Sequence, residues 1–327
     1  MGNGVCCVAS YRDDTALKAL RGRDVLSLAD CSPQEITALL DLAAELKSER
    51  RKRSLRRSLE GQTVALIFFK PSTRTRVSFD VAIRELGGSS LYLNAQEMQL
   101  SRGESIEDTA RVLSRYVHAV VIRTYAQAEL ELFAKWSSAP VINALTDSFH
   151  PMQALADLLT LRERFGELKG LRLTYVGDGN NVAHSLMIGG AKMGMDVVIS
   201  TPEAYRPDPA VWDKAVAIAR ENGGSVRYVA DPKEAVQGAR AIYTDVWVSM
   251  GQEEQRAEKL KAFQGFQVDR SLVAAAASDA VVMHDLPAHK GEEITEEVFE
   301  GPRSVIFDQA ENRLHVQKAV LHAVLGQ

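Results

Sequence analysis

Cysteine is scarce in this sequence, with three residues in a chain of 327. Cys6, Cys7 and Cys31 all lie near the start, and their spacing matches neither a metal-ligand pattern nor an even-numbered disulfide framework. We therefore assume no disulfide and expect a reducing compartment, with the cytoplasm as the predicted location. Residues 1–7 resemble a myristoylation signal only in part, because Cys6 stands where Ser or Thr is expected, and we interpret them as an N-terminal extension.

Long apolar runs and an excess of basic charge are also missing. A membrane helix needs about 20 apolar residues, and the longest candidate, 272–283, is interrupted by Ser278 and Asp279. The formal net charge of -4 argues against general nucleic-acid binding. The densest basic run, 50–53, follows a predicted helix at 33–47, and we interpret it as a solvated helix end. The sequence thus predicts neither a membrane nor a nucleic acid as a partner.

What is present is a length and a hydrophobic fraction of 46% that suffice for two domains. Strand-like runs alternate with helical ones, which is typical of mostly parallel sheets covered by helices. Two series of strands are predicted, the first at 63–69, 89–93, 119–124 and 140–143, and the second at 172–177, 196–200, 225–230, 241–246, 280–283 and 304–307. Helices are expected to begin near Thr73, Ser105 and Gln127, and a last helix to cover about 311–327.

The predicted fold class is α/β, with two open, mostly parallel-sheet domains and the active site in the cleft between them. His150-Pro151-Met152-Gln153 opens a helix between the two series, with Pro at its first turn. We place the domain boundary there, so that one domain covers 1–149, with the last helix packing back on it, and the other covers 150–310. Because such sheets bind ligands at the carboxyl ends of their strands, site residues should follow strands.

The run Lys70-Pro71-Ser72-Thr73-Arg74-Thr75-Arg76 lies where a predicted strand ends and a helix begins. A helix N-terminus offers unpaired N–H groups and the positive end of a dipole, while Ser72 or Thr73 can cap it and Arg74 supplies a bidentate fork. For S-x-R alone, a capping serine and solvated arginines would be a sufficient explanation. The full run, with hydroxyl and cationic groups within one turn, predicts an anion site, most naturally for phosphate.

The loop Gly177-Asp178-Gly179-Asn180-Asn181-Val182 follows a predicted strand but does not match the dinucleotide fingerprint. Val182 replaces the third glycine, and no acid ends the next strand, although Glu203 follows shortly. We interpret the glycines as permitting close backbone approach to a small ligand, with Asn181 donating to a carboxylate.

Histidine and aspartate supply the other candidates. His150 is either a helix-capping side chain or, with Gln153 one turn on, a donor and an amide facing the cleft. Asp245 leaves a strand, where it can hold a cationic amine or only form a turn. His118, His184 and His315 have no comparable partners and are interpreted as structural or surface residues, so the sequence predicts no metal site.

Five motifs together resemble those of the ornithine carbamoyltransferases, in the same order, and the match runs from about residue 23 to the end. They are Lys70 to Arg76, His150 to Gln153, Gly177 to Asn181, Asp245-Val246-Trp247-Val248-Ser249-Met250-Gly251 and Phe307-Asp308-Gln309-Ala310-Glu311-Asn312-Arg313. The first two are shared with aspartate carbamoyltransferases, so the ornithine assignment rests on the Ser249-Met250-Gly251 loop and on Asn181. The resemblance implies transfer of a carbamoyl group from carbamoyl phosphate to ornithine, giving citrulline and phosphate, without metal or cofactor.

The resemblance also implies roles by matching position. Ser72, Thr73, Arg74 and Thr75 would bind the phosphate, and Arg313 would also reach carbamoyl phosphate. Arg123 and His150, with Thr75, would stabilise the oxyanion. Gln153 and the backbone carbonyl near Leu286 would orient the carbamoyl amide, while Asn181, Asp245, Ser249 and Met250 would hold the ornithine α-carboxylate and α-amine. Family members are typically homotrimers, and Gln99 would reach the neighbouring subunit's phosphate.

The chain departs from the family at Asp285, since His284-Asp285-Leu286-Pro287 stands where the ornithine branch has His-Cys-Leu-Pro. We expect Asp285 to add a negative charge beside the phosphate donor. It would act as a general base for the attacking amine, or pair with its ammonium form and raise the pKa of the amine by roughly one to three units. Two other functions stay open: a carbamoyltransferase for putrescine or an acylated ornithine, and a non-catalytic paralogue that binds carbamoyl phosphate.

Overall fold

The computed structural model describes residues 14–248 and 253–326. Two fully parallel sheets form its centre, built from strands that follow the chain in two series. The first series is β1 (Thr63–Phe68), β2 (Ser89–Asn94), β3 (Ala119–Arg123) and β4 (Val141–Leu145), in the order β2-β1-β3-β4. The second is β5 (Arg172–Val176), β6 (Asp196–Ser200), β7 (Ser225–Tyr228), β8 (Ala241–Thr244) and β9 (Val281–His284), in the order β7-β6-β5-β8-β9.

Helices connect the strands. Within the described residues they are α1 (Asp14–Ala19), α2 (Pro33–Arg51), α3 (Thr73–Glu85), α4 (Ile106–Leu113), α5 (Gln127–Trp136), α6 (Pro151–Phe165), α7 (Asn181–Lys192), α8 (Pro209–Asn222), α9 (Pro232–Ala235), α10 (Arg256–Ala262), α11 (Arg270–Ala275), α12 (Glu296–Phe299) and α13 (Ile306–Leu325). None of these helices is both long and apolar enough to cross a membrane.

The sequence explains these elements locally. Every residue of β3 is buried, as expected for a central parallel strand covered by helices on both faces. The helices begin at defined caps: Ser32 and Glu35 form a reciprocal capping box before α2, with Pro33 in the first turn. The predicted fold class, two open parallel-sheet α/β units, is therefore confirmed.

The C-terminal helix α13 returns to the first sheet's side of the molecule and packs on α2, α3 and α6. A buried polar contact joins three of these helices, because Lys47 Nζ donates to Asn312 Oδ1 at 2.7 Å and to Glu163 Oε2 at 2.8 Å. Helix α6 lies between the two sheets in the chain, and it contacts α7 as well as α2. The domain boundary at residue 150 stays a prediction.

Most strand boundaries lie within two residues of those predicted, but the strand at 304–307 is wrong. Ser304 makes only an isolated bridge with Val282, and α13 already begins at Ile306, five residues before the predicted start. Ile306 is fully buried while Phe307 is 63% exposed. A run of four residues is too short to show whether its apolar residues repeat with the period of a strand or of a helix. Packing against the second sheet therefore decided its conformation. The short helix α1 had also not been predicted.

Candidate active site

Two adjoining cavities open at the carboxyl ends of the strands, between the two sheets. The larger has a volume of about 620 Å³, and the smaller about 270 Å³. Both are lined by the last residues of β3 and β4 and by residues that follow β9, namely Arg123, Leu145, Asp285, Leu286 and Pro287. The cleft predicted from the strand ends is thus present, and these shared residues mark where its two halves meet.

The smaller cavity is built on the N-terminus of α3. Ser72 is the N-cap, and its Oγ accepts from the Thr75 backbone N–H at 3.3 Å. Thr75 is buried, and its Oγ1 accepts from Arg313 Nη2 at 2.7 Å. Thr73 and Arg74 complete this side of the lining. The predicted junction, at which the end of a strand meets a helix N-terminus, is confirmed.

Arg76 does not belong to the cradle. Its guanidinium lies 3.6 Å from the centroid of the Tyr92 ring, and it lines neither cavity. The two arginines of the run therefore separate, one facing the cavity and the other packing on an aromatic ring of the neighbouring strand.

The lining of the smaller cavity also includes two buried guanidinium groups, those of Arg123 and Arg313. Burial and the nearby Arg313 lower the pKa of Arg123 to about 10, and burial also lowers the pKa of Arg313. The Nε atoms of both are buried without a hydrogen-bond partner in the described part of the chain. Clustered, incompletely paired cations of this kind favour an anion between them, and the guanidinium fork matches phosphate oxygens.

His150 lines the same cavity at the N-terminus of α6. Burial, together with Arg313 and Arg123, holds the pKa of His150 well below its usual range, so the ring is neutral at pH 7. Its backbone N–H donates to Ser185 Oγ at 2.7 Å, while the ring Nδ1 is buried and has no hydrogen-bond partner among the residues that the structure describes. A neutral imidazole can donate one hydrogen bond to a developing oxyanion without adding a charge.

Gln153 differs from its predicted placement, because it lies behind Arg313 and lines neither cavity. Its Oε1 accepts from Arg313 Nη1 at 3.1 Å, and its Nε2 donates to Asp157 Oδ1 at 2.9 Å. Asp157 also accepts from Gln309 Nε2 at 2.7 Å. The amide therefore positions a cavity arginine, a contact that spacing along one helix could not show.

The larger cavity contains the amine side of the cleft. Asp245 is buried, with Oδ1 accepting from the Val246 N–H at 2.7 Å and Oδ2 from Asn180 Nδ2 at 2.7 Å. Asn181 Nδ2 instead donates to the Thr146 carbonyl at 2.6 Å. Asn180 had not been singled out from the sequence. Its signal was its position as N-cap of α7, where its Oδ1 accepts from Val182 and Ala183.

The glycine loop before α7 serves the protein's own backbone. A Cβ at Gly179 would lie 2.4 Å from the Pro207 backbone nitrogen, and the Gly179 N–H donates to the Tyr205 carbonyl at 2.9 Å. A neighbouring chain segment therefore already requires glycine at this position. Gly179 also lines the larger cavity, and its approach to a ligand stays a prediction.

Two lysines line the larger cavity: Lys259 had not been singled out from the sequence, and Lys70 had been named only as part of the run 70–76. Lys259 on α10 makes a buried ion pair with Asp178, Nζ to Oδ2 at 2.5 Å. Lys70 pairs with Asp147 and lies 4.1 Å from the centroid of the Tyr125 ring. His184, by contrast, is structural as expected, with Nδ1 at 3.0 Å from the Ser148 carbonyl and Nε2 accepting from the Asp208 N–H.

Asp285 follows β9 and lies beside Asp245, which follows the neighbouring strand β8. Burial, and then the Asp245 carboxylate, hold the pKa of Asp285 well above its usual range. Burial and Asp245 thus oppose the extra negative charge expected here, and the role of Asp285 stays a prediction. Leu286, the next residue, has φ of 63°, an uncommon value for a residue with a side chain.

Two groups of residues bring potential metal ligands close together, Asp245 with His284 and Asp285, and His289 with Glu292 and Glu293. In the first group both nitrogens of His284 are engaged. Nδ1 accepts from the Leu286 N–H at 2.9 Å, and Nε2 lies 2.9 Å from Glu293 Oε1. That histidine has no lone pair left for a metal ion. The absence of a metal site stays a prediction.

Besides Gln153, one described residue of the predicted site lies outside both cavities. Gln99 begins an exposed 3-10 turn, Gln99–Arg102, and lines neither cavity of its own chain. Ser249 and Met250, like Cys6 and Cys7, lie outside the described residues.

Family models match both halves of the chain. Residues 23–163 match the carbamoyl-P binding domain of aspartate/ornithine carbamoyltransferase, and residues 169–324 match its Asp/Orn binding domain. The chain belongs to the aspartate/ornithine carbamoyltransferase family. An ornithine carbamoyltransferase of Pyrococcus horikoshii is 56% identical over 308 residues, which cover 94% of this chain and 97% of that protein. The family assignment made from the motifs is confirmed.

Solved structures support the same family assignment. The ornithine carbamoyltransferase of Pyrococcus furiosus has a TM-score of 0.91 at 55% identity, with 94% of this chain and 98% of that chain covered. The enzyme from Gloeobacter violaceus has a TM-score of 0.84 at 51% identity, covering 94% of this chain and all of that one. A Pyrococcus furiosus relative of the same name is described as anabolic.

Proposed function

We propose that the protein is an ornithine carbamoyltransferase, which transfers the carbamoyl group of carbamoyl phosphate to the side-chain amine of L-ornithine and gives L-citrulline and phosphate. One observation carries this proposal: an arginine-lined cavity on a helix N-terminus adjoins a cavity whose wall holds an anchored carboxylate, Asp245. A dianionic donor and a cationic amino acid would meet where the cavities share their lining. The relatives named above support arginine synthesis as the pathway.

At the donor end, Ser72, Thr73, Arg74 and Thr75 would bind the phosphate with their hydroxyl groups, backbone N–H groups and guanidinium. Arg313 would contact the same donor, held by Thr75 and Gln153. The protein's own groups suffice for this binding, and the proposal includes no metal or cofactor.

At the reacting carbon, Arg123 and His150, with Thr75, would donate to the carbamoyl oxygen, where negative charge develops as the amine attacks. Removing one such donor typically costs about 2.7–4 kcal/mol of transition-state stabilisation. The Leu286 carbonyl would orient the carbamoyl amide, and Gln153, which was expected to do the same, would act through Arg313, which it positions.

At the acceptor end, Asp245 would hold the α-amine, and Asn181 the α-carboxylate, with Ser249 and Met250 completing the site. Both Asp245 oxygens already accept N–H donors, which fix the carboxyl group in place. A carboxyl group anchored here would bind a free α-amine and so supports ornithine over an acylated ornithine, while an α-carboxylate held by Asn181 would distinguish ornithine from putrescine.

A homotrimer in the cytoplasm is the proposed assembly and location. Gln99 would then belong to a site shared between subunits, because it is exposed and lines neither cavity of its own chain. The described cysteine, Cys31, is buried and free, which supports a reducing compartment.

A substrate panel tests the proposed reaction. Carbamoyl product would be measured colorimetrically with ornithine, putrescine, N-acetylornithine and aspartate as acceptors. We expect citrulline from ornithine and at most traces of product from the others. Product from putrescine alone would instead identify a different carbamoyltransferase, and no product from any amine would favour a non-catalytic paralogue.

Two arginine variants complement this panel, one in the smaller cavity and a matched control away from both cavities. Arg313→Gln should remove at least one hydrogen bond to a charged group, worth about 1.5–3 kcal/mol, and lower kcat/KM for carbamoyl phosphate roughly 10- to 150-fold. Arg303→Gln changes an arginine that donates to the Val273 carbonyl at 3.0 Å, away from both cleft cavities, and should leave kcat/KM unchanged.

A further inference from the structure

Asp285 occupies the junction of the cleft. It lines both cavities, so it faces the arginine-rich donor side and the Asp245 acceptor side at once. Its side chain is only 12% exposed. A group in this position is close to any amine that reaches from the larger cavity toward the smaller one.

The carboxyl of Asp285 lies close to that of Asp245, which follows the neighbouring strand β8: potential ligand atoms of Asp245, His284 and Asp285 all lie within 4.8 Å of one another. Two carboxylates buried this close together repel each other, and a proton on one of them relieves the repulsion. The N–H donors distinguish the two groups: Asp245 accepts from Val246 and Asn180, whereas Asp285 Oδ1 is buried without a hydrogen-bond partner among the described residues. This arrangement places the proton on Asp285.

Charged and titratable groups face Asp285 from several elements. They are Arg74 of α3, Arg123 of β3, Arg313 of α13, Asp157 of α6, Asp245 and Tyr243 near β8, Tyr175 of β5 and His284 of β9. The arginines favour the carboxylate, and burial with the two aspartates opposes it. His284 adds no positive charge, because its Nδ1 accepts from the Leu286 N–H. Burial raises the pKa of both tyrosines, which stay neutral.

We propose that Asp285 is a neutral carboxylic acid in the free site, and that binding of the ornithine side-chain amine expels one proton to solvent, leaving a single proton shared between carboxylate and amine. This inference rests on the proposed carbamoyl transfer and gives Asp285 a part in it. The ornithine α-amine would pair with the carboxylate of Asp245. The side-chain ammonium needs a carboxylate of its own, so Asp285 must lose its proton when ornithine binds.

The transfer step then balances. The shared proton moves fully to Asp285 as the neutral amine attacks, the N–C bond forms, and the C–O bond to phosphate breaks. The second amine proton leaves with the phosphate, which departs as hydrogen phosphate. Asp285 ends as the neutral acid with which the cycle began, and the one proton expelled at binding is the net proton of the reaction.

Infrared difference spectroscopy tests the free site directly. At pH 7 the wild type should show the C=O stretch of a protonated carboxylic acid that Asp285→Asn lacks. Asp245→Asn, which removes the anionic partner, should shift or remove the same band. Asp157→Asn is the matched control: it should remove a different band, one that fades as pH rises through about 7, the pKa to which burial raises Asp157.

Ligand binding tests the second half of the proposal. L-Ornithine added with inorganic phosphate should abolish the Asp285 band in the wild type. L-Norvaline has the same α-groups but no side-chain amine, and with phosphate it should leave the band in place. The proposal is overturned by the absence of an Asp285 band in the free protein, by its survival with ornithine, or by its equal loss with norvaline.

The pH dependence of kcat/KM for ornithine gives an independent readout. In the wild type it should level off once Asp285 is ionised, whereas in Asp285→Asn it should keep rising toward the amine's own pKa of about 10. Superimposable profiles would contradict a role for the carboxyl. Citrulline formation without the band would refute this proposal alone, and the band without citrulline formation would refute the proposed function alone.

Discussion

At the scale of single residues, Asp157 shows how a group outside the cavities bears on them. It is completely buried on α6, and burial raises its pKa to about 7 even though Gln153 and Gln309 donate to it. Through Gln153 it helps to hold Arg313 at the phosphate site. Its ionisation is therefore linked to folding and to the arrangement of the donor site.

We expect Asp157 to make stability depend on pH. The folded protein binds this proton more tightly than the unfolded chain, in which Asp titrates near 4. Its stabilising contribution is complete below about pH 4 and is lost as pH rises toward 7, at about 1.4 kcal/mol per unit. Urea unfolding should show wild type losing about 2 to 3 kcal/mol relative to Asp157→Asn between pH 5 and pH 7.

The exposed Asp213 of α8 supplies the control for that measurement. Asp213→Asn should follow the wild type at both pH values. If Asp157→Asn also ran parallel to the wild type, the buried carboxyl would not be titrating with folding.

At the scale of elements, the N-terminus of α3 combines two tasks in one residue. Ser72 caps the helix through the Thr75 N–H, and the same hydroxyl lines the smaller cavity. Ser105 caps α4 in the same way, accepting from the Asp108 N–H at 3.1 Å, but it lines neither cleft cavity. A comparison of variants at the two serines therefore separates the effect of helix capping from the effect on ligand binding.

Both Ser72→Ala and Ser105→Ala should lower the free energy of unfolding by about 1 kcal/mol, the usual loss for an N-cap. Only Ser72→Ala should also raise KM for carbamoyl phosphate, roughly 10-fold or more, since a hydrogen bond to a charged group is worth about 1.5–3 kcal/mol. Denaturant unfolding and steady-state kinetics measure the two effects. An equal KM in both variants would restrict Ser72 to capping.

At the scale of the whole molecule, the proposed trimer would complete each site with a neighbour's residue. Gln99 is exposed on a 3-10 turn between β2 and α4 and is absent from its own chain's cavities. Arg313, in contrast, belongs to the cavity of its own chain. Variants at these two positions should therefore complement each other when subunits are mixed.

We expect Gln99→Ala and Arg313→Ala to be nearly inactive separately. After unfolding and refolding together in equal amounts, about one quarter of the sites should regain both residues, if subunits assort at random in a ring. Ser72→Ala mixed with Arg313→Ala is the control, since both residues line one chain's own cavity and cannot be supplied by a neighbour. A mixture no more active than its components would contradict a shared site.

The sequence alone determined the features that depend on near neighbours in the chain. The alternation of strands and helices, the cap at Ser72 and the order of the family motifs all follow from local period and spacing, and the structure and comparisons confirm them. The assembly, the location and the individual roles of the site residues stay predictions.

Tertiary structure decided what depends on groups far apart in the chain. Residues 306–307 are helical, and backbone occupies the space beside Gly179. Gln153 contacts Arg313, and Asp245 accepts a hydrogen bond from Asn180. The pKa of Asp285 is the clearest case. A carboxyl's pKa depends on its burial and on its distance to other charges, and Asp245 lies forty positions away in the chain, so only the fold could bring the two groups together and raise the pKa of Asp285.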